Sequence, residues 1–219
     1  MTDTLTLAVV TGGHSYDVPH FHRLFHAIGD GMDVYIQYMD DFASSPAEVR
    51  QGYDVALFYI MLMDGPANEG HPWYAGKPKA ALEGLGQTPQ GIVVLHHAIL
   101  AYPQWSIWHQ LTGITERSFG YHVGETVTSH IVDPDHPITR DLSDWTMIDE
   151  TYTMTDAGAD SHVLLTYDHP KSMKTIAWTR QFGQSRVFNY QAGHDNDSWA
   201  DASFRALLRR GIFWAGGKL

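Results

Sequence analysis

The sequence contains no cysteine in 219 residues, which removes disulfides, thiolate metal sites and a cysteine nucleophile from consideration. Positive charge is also scarce. Fourteen Lys and Arg face 25 Asp and Glu, for a formal net charge of -11 with neutral His. Such a surface repels phosphate backbones, so nucleic acid is not expected as a partner. No run approaches the roughly 20 consecutive apolar residues that span a bilayer, and Met1-Thr2-Asp3-Thr4 lacks the positive stretch of a signal peptide. The expectation is a soluble, cytoplasmic protein with no membrane partner. Nucleotide signatures are missing too, since neither G-x-G-x-x-G nor G-x-x-x-x-G-K follows Gly12-Gly13. A serine-hydrolase elbow fails because Val187 stands where Gly183-Gln184-Ser185-Arg186 would need a closing glycine. His22 and His26 have the spacing of a helical metal pair, but Arg23 replaces the Glu of the zinc-protease motif. They read as a polar helix face.

What is present describes a compact chain. Hydrophobic residues make up 43%, aromatics 12% and charged residues 18%, and the length favours one domain over residues 1–219 rather than two small ones. Short apolar runs alternate with helical stretches. Leu5 to Val10 reads as a buried strand that stops at Thr11-Gly12-Gly13-His14, and Phe21, Leu24, Phe25 and Ile28 recur at helical spacing between Pro19 and Ile28. Strands follow at Val34 to Tyr38, Asp54 to Ile60 and Gly91 to His97, with short helices at Pro46 to Arg50 and Lys77 to Leu85 and a loop holding Gly65, Pro66, Gly70 and Pro72. This alternation predicts an α/β fold with a parallel sheet. Beyond Gly120 the segments Glu125 to Val132, Ile148 to Met154, His162 to Tyr167 and Arg186 to Gln191 read as further strands, and Asp201 to Trp214 as a closing helix.

In an open parallel sheet the ligand crevice lies beyond the carboxyl ends of the strands. His14 follows the first strand, His97 closes the fourth and His194 follows the last, so topology alone gathers three of the fourteen imidazoles. Imidazole suits zinc and other first-row metals, and a catalytic site typically has three protein ligands and an open position. His14, His97 and His194 are therefore the expected metal set, for a divalent ion with zinc foremost. Asp149 and Glu150 would add a carboxylate ligand or a general base. The same groups also suit metal-free acid–base chemistry without a cofactor. Tyr152 shares a strand face with Glu150 and could present its hydroxyl to a ligand. His96 and His97 are neighbours on a strand, so one is expected to reach the crevice and the other to be buried in packing. Trp73, Trp105, Trp108 and Trp199 fall in loops or helix starts. Packing is expected for Trp108 and Trp214, while Trp199 stands close to His194.

Several stretches together resemble the ThuA-like (trehalose utilisation) family. They are Thr11-Gly12-Gly13-His14, Val94-Leu95-His96-His97-Ala98, Asp135-His136-Pro137-Ile138-Thr139, Asp149-Glu150-Thr151-Tyr152 and the block from Ala177-Trp178-Thr179-Arg180 through Gly193-His194-Asp195 to Trp214-Ala215. The resemblance covers nearly the whole chain. It implies a flavodoxin-like, class I glutamine amidotransferase-like domain with a mostly parallel sheet flanked by helices, and a role in carbohydrate catabolism. That fold normally carries a Cys at the turn after a central strand, where this chain reads Leu95-His96-His97-Ala98, so glutamine hydrolysis through a thioester is excluded. The resemblance matches His97, Asp149 with Glu150, and His194 to the family's landmarks. Together these lines point to a sugar enzyme, a hydrolase, lyase or isomerase on a glucoside or keto-sugar, with His97, Asp149 and Glu150 catalytic. Tyr152, Arg180, Asp195 and Trp199 would contact substrate. The alternative is a sugar-binding accessory protein without turnover. The acidic charge and aromatic loops are compatible with a homo-oligomer.

Overall fold

The computed structural model describes residues 4–68 and 77–219; Gly70, Pro72 and Trp73 lie outside the described residues. Among the described residues, nine strands form one sheet: β1 (Leu5–Gly12), β2 (Met32–Tyr38), β3 (Val55–Ile60), β4 (Gly91–Leu95), β5 (Gly120–Ile131), β6 (Trp145–Thr153), β7 (His162–Tyr167), β8 (Thr175–Phe182) and β9 (Ser185–Tyr190). The helices are α1 (Val18–Ile28), α2 (Met39–Ser44), α3 (Ala47–Gln51), α4 (Pro78–Glu83), α5 (Ser106–Thr112), α6 (Asn196–Ala200) and α7 (Ala202–Ala215). The strand order is β2-β1-β3-β4-β9-β8-β7-β5-β6. The first five pair in parallel and the remainder antiparallel. The fold is thus α/β with a mixed sheet, its parallel strands confined to one continuous core.

Burial explains the division. Every residue of β3 and β4 is buried, which suits the unbroken apolar runs VALFYI and GIVVL of strands covered on both faces. Helix α1 buries Phe21, Leu24, Phe25 and Ile28, the predicted stripe, and starts where the Asp17 carboxylate accepts the His20 amide at 3.1 Å. Helix α7 covers the same sheet with Phe204, Leu207, Leu208 and Ile212. Trp108 is fully buried, its indole N–H donating to the Ala98 carbonyl at 2.8 Å beneath the segment after β4. Trp214 is half-buried, with the Arg186 guanidinium over its ring.

Four elements escape the periodicity reading. Helices α2, α5 and α6 are 6, 7 and 5 residues long, too short for a 3.6-residue repeat to register. Strand β8 starts with five consecutive buried residues and so lacks the alternation that marks a half-exposed strand. Strand β4 is also shorter than expected. It ends at Leu95, and His96 turns into a left-handed conformation at φ 54° that opens a short 3-10 turn over His96–Leu100.

Candidate functional site

The carboxyl ends of β1, β3, β4 and β9 meet the middle of β6 at one place. Although β6 is the far edge of the sheet order, the antiparallel arm curls back so that β6 touches the segment after β9. The Gln191 side chain donates to the Glu150 carbonyl at 3.0 Å, and the Met173 amide donates to the Tyr152 carbonyl at 2.6 Å. On the preceding position along β6, the Asp149 carboxylate accepts the backbone amides of Gly193 at 2.8 Å and His194 at 3.0 Å, and that of Glu150 at 2.9 Å. Asp149 therefore clamps the loop that carries His194 and turns away from the imidazoles. Burial raises its carboxyl above the usual range, with the charge of His96 and the three amides opposing the rise.

Glu150 projects from the opposite face of β6 into the cluster. Its Oε2 lies 3.1 Å from His96 Nε2 and 3.1 Å from His194 Nδ1, and those two nitrogens are 3.2 Å apart. His96 is fully buried and Glu150 nearly so. The left-handed turn at His96 is what aims its ring here, and His96 Nδ1 donates to the Gln191 carbonyl at 2.7 Å, which turns Nε2 toward Glu150, as a donor in the protonated ring and as a free ligating atom in the neutral one. The Tyr152 hydroxyl donates to Glu150 Oε2 at 2.9 Å and lies 2.9 Å from His96 Nε2. Burial pushes the Glu150 carboxyl up, but hydrogen bonds from His194 and His96 outweigh it and hold it well below the usual carboxylate range. The bond to Glu150 raises His194 against the effect of burial.

The neighbouring groups are arranged around this trio. His97 is buried, donates from Nδ1 to the Ile60 carbonyl at 3.0 Å, and has no partner at Nε2 among the described residues. Burial and the adjacent His96 drive its ring well below the ordinary imidazole range. The exposed His14 ring sits 4.7 Å from His97 and 6.1 Å from His194, between centroids. Trp199 is buried against Phe21, and its indole N–H donates to the Gly193 carbonyl at 2.8 Å. The Tyr59 hydroxyl reaches the His194 carbonyl at 3.1 Å. Asp195 caps α6, accepting the Asp197 amide at 3.0 Å. Arg180 lies elsewhere, its guanidinium paired with Asp160 and donating to Ser161 and the Gln110 carbonyl.

Of the metal set expected from strand ends, His194 belongs to the trio, whereas the His14 and His97 rings sit beside it, tilted against one another. His96 and Glu150 complete the donor set. The alternation argument that separated His96 from His97 does not apply, because the chain has already left the strand at His96. Sequence reasoning also passed over Gln191 and Tyr59. Their position at the ends of β9 and β3 was the available signal. The trio fits a small divalent ion: ligand bonds of about 2.0–2.1 Å in a tetrahedron separate the ligand atoms by roughly 3.3 Å, close to the spacings found. His22 and His26 are remote from it, lining a cavity of about 320 Å³ against β2.

No curated protein matches the chain in sequence. Among solved structures, a ThuA-like protein from Parabacteroides merdae superposes with a TM-score of 0.75 at 18% identity, over 98% of this chain and 91% of its own. A GMP synthase subunit from Thermoplasma acidophilum matches with a TM-score of 0.55 at 11% identity, over 98% of this chain and 95% of its own. The β-galactosidase of Bacillus circulans sp. alkalophilus matches with a TM-score of 0.65 at 13% identity, over 98% of this chain but 31% of its own. These likenesses establish the class I glutamine amidotransferase-like fold. No helix among the described residues is long and apolar enough to cross a membrane. Residues 11–215 match the family described as trehalose utilisation, and the chain belongs to that ThuA family.

Proposed function

We propose that this protein is a metal-assisted enzyme acting on a glucoside or keto-sugar derivative, by hydrolysis, elimination or isomerisation. The observation that carries the reading is the convergence of His96 Nε2, Glu150 Oε2 and His194 Nδ1 to within 3.2 Å of one another from three separate segments of chain. Two imidazoles and a carboxylate with an open position form one of the ligand sets of catalytic zinc. The carbohydrate half of the reading rests on the family's description. A divalent ion held there would supply a Lewis acid for a sugar oxygen.

The chain's own residues would do the rest. His97, kept neutral by burial and fixed in its tautomer by the Ile60 carbonyl, offers its unoccupied Nε2 as base or acceptor. Tyr152 can donate its hydroxyl hydrogen to a substrate oxygen in place of Glu150. Asp149, Tyr59 and Trp199 position His194 by holding the backbone of Gly193 and His194. His14 forms the exposed rim. Arg180 takes no part, because Asp160 already occupies it.

A second reading draws on the raised His194. A protonated His194 beside Glu150 is also an acid–base pair that needs no ion. Metal analysis of tag-free protein separates the two. Near-stoichiometric zinc, manganese or iron, lost together with turnover in His194→Ala, is expected. Undiminished turnover after exhaustive chelation overturns the metal half, and ligand-induced stabilisation without product across a panel of glucosides and keto-glucosides overturns the enzyme half.

A further inference from the structure

The two edges of the sheet are finished differently. At one edge, the β6 carbonyls of Glu150 and Tyr152 are taken by Gln191 and Met173. At the other, β2 pairs with β1 alone among the described residues. The Leu5 amide donates to the Gly31 carbonyl at 3.0 Å, and the parallel register runs from Leu5↔Met32 to Thr11↔Tyr38 without a shift. Residues 31, 33, 35 and 37 therefore turn their backbone groups toward β1, which leaves those of Val34 and Ile36 pointing outward.

Native edge strands are commonly blunted by Lys, Pro or a bulge. The β2 sequence MDVYIQY has no Lys or Pro, its register is unbroken, and its one charge is Asp33. Helix α1 leaves a cavity of about 320 Å³ beside this strand, with His22, Phe25 and His26 on one wall and Val34 and Ile36 on the other. Val34 and Ile36 are half-buried, and on the opposite face Tyr35 is 50% exposed beside the Tyr53 ring.

This strand is complementary to itself. A second copy laid antiparallel and centred on Tyr35 engages all 7 residues of β2, and shifted registers engage fewer. Met32 then faces Tyr38, Asp33 faces Gln37, Val34 faces Ile36, and Tyr35 faces its own copy. A carboxylate meets an amide donor, a β-branched side chain meets another, and ring meets ring, with no like charges opposed along the strand. The outward backbone groups of Val34 and Ile36 exchange both hydrogen bonds in this register, and Tyr35 falls on the two-fold axis at a non-hydrogen-bonded position.

We propose that the outer edge of β2 docks a second copy of this chain, antiparallel about Tyr35, so that the two sheets continue as one. The inference is independent of the sugar reading. One strand pair buries little surface and each copy carries a net charge of -11, so the dimer exchanges readily with monomer.

Sedimentation velocity of the full chain from about 1 to 200 µM, in about 0.3 M salt to screen that charge, should show dimer rising with concentration. The absence of cysteine makes single introduced thiols informative. Facing residues at a non-hydrogen-bonded position have Cα atoms about 4.5 Å apart, within disulfide reach, whereas position 33 lies about 13 Å from its own copy. With diamide as oxidant, Tyr35→Cys should form a covalent dimer at least about tenfold faster than Asp33→Cys. Tyr35→Lys should weaken the dimer about tenfold, and mixing it with Tyr35→Glu should restore association, because position 35 meets itself. Melting temperatures close to wild type establish that the variants fold. Monomer at every concentration, equal crosslinking at positions 33 and 35, a dimer that Tyr35→Lys leaves intact, or a mixture that associates no better than its parts overturns the proposal.

Discussion

The parallel and antiparallel halves of the sheet contribute differently to the site. In the parallel half, β3 and β4 are buried end to end, and the candidate site draws on the residues just past the strand ends: His14 after β1, His96 and His97 after β4, His194 after β9. In the antiparallel half, β5 leaves Tyr121 and Val123 more than half exposed, and β6 contributes from mid-strand, with Asp149 facing the backbone of residues 193–194 and Glu150 and Tyr152 facing the imidazoles. One half supplies imidazole nitrogens through its loops and the other supplies acid and phenol through its pleat. Neither half holds the trio alone.

Glu150→Gln breaks the comparison most directly, since Glu150 is the donor that the antiparallel arm brings to the trio. Metal affinity and turnover should each fall by more than about 100-fold, beyond the 10–100-fold typical when only a supporting hydrogen bond to a ligand is lost. Metal content after dialysis and initial rates measure both.

Next in size is a contrast between glycines at positive φ, one from each half. Gly193 has φ 116°, and a Cβ there would meet Phe204 at 2.9 Å; Gly124 in β5 has φ 68° with open space around it. Gly193→Ala should cost roughly 2–3 kcal/mol by strain and overpacking, a fall of roughly 5–10 °C in melting temperature. Gly124→Ala should cost about 1 kcal/mol. Thermal melts by circular dichroism compare the two, and equal losses would mean that the loop bearing His194 is not tightly held.

The smallest effect lies at the opposite end of the parallel half. Asp54, just before β3, accepts the Thr6 amide at 2.7 Å and hydroxyl at 3.0 Å and pairs with Lys218 at 3.1 Å. Burial raises its carboxyl, but these partners outweigh burial and lower it. A lowered carboxyl stabilises the fold above its unfolded pKa and loses that contribution as pH falls through the folded value. Asp54→Asn should therefore cost roughly 1 kcal/mol at neutral pH, after allowance for solvent screening. The gap should close below about pH 4, and sugar turnover should be unaffected. Denaturant titrations at both pH values check this.

The parallel half is legible in the sequence because its signals are local. Unbroken apolar runs ending at glycine and histidine mark β1 and β4, and the stripe of Phe21, Leu24, Phe25 and Ile28 marks α1. The gathering of His14, His97 and His194 follows from the rule that ligands collect at strand ends. The place of His96 does not, because alternation assumes an extended backbone and His96 has turned to φ 54°. Arg180 reads as a free cation along the chain, yet its partner Asp160 lies 20 residues away and claims it.

The amino-acid sequence by itself determined the α/β class, the buried strands, the absence of thiol chemistry and the gathering of imidazoles at one sheet edge, since each follows from composition or from contacts close along the chain. Tertiary structure decided which imidazole meets which carboxylate. Glu150 reaches His96 across 54 positions only because the antiparallel arm curls back over the parallel core, and that curl is a property of packing between distant segments rather than of any local run of residues.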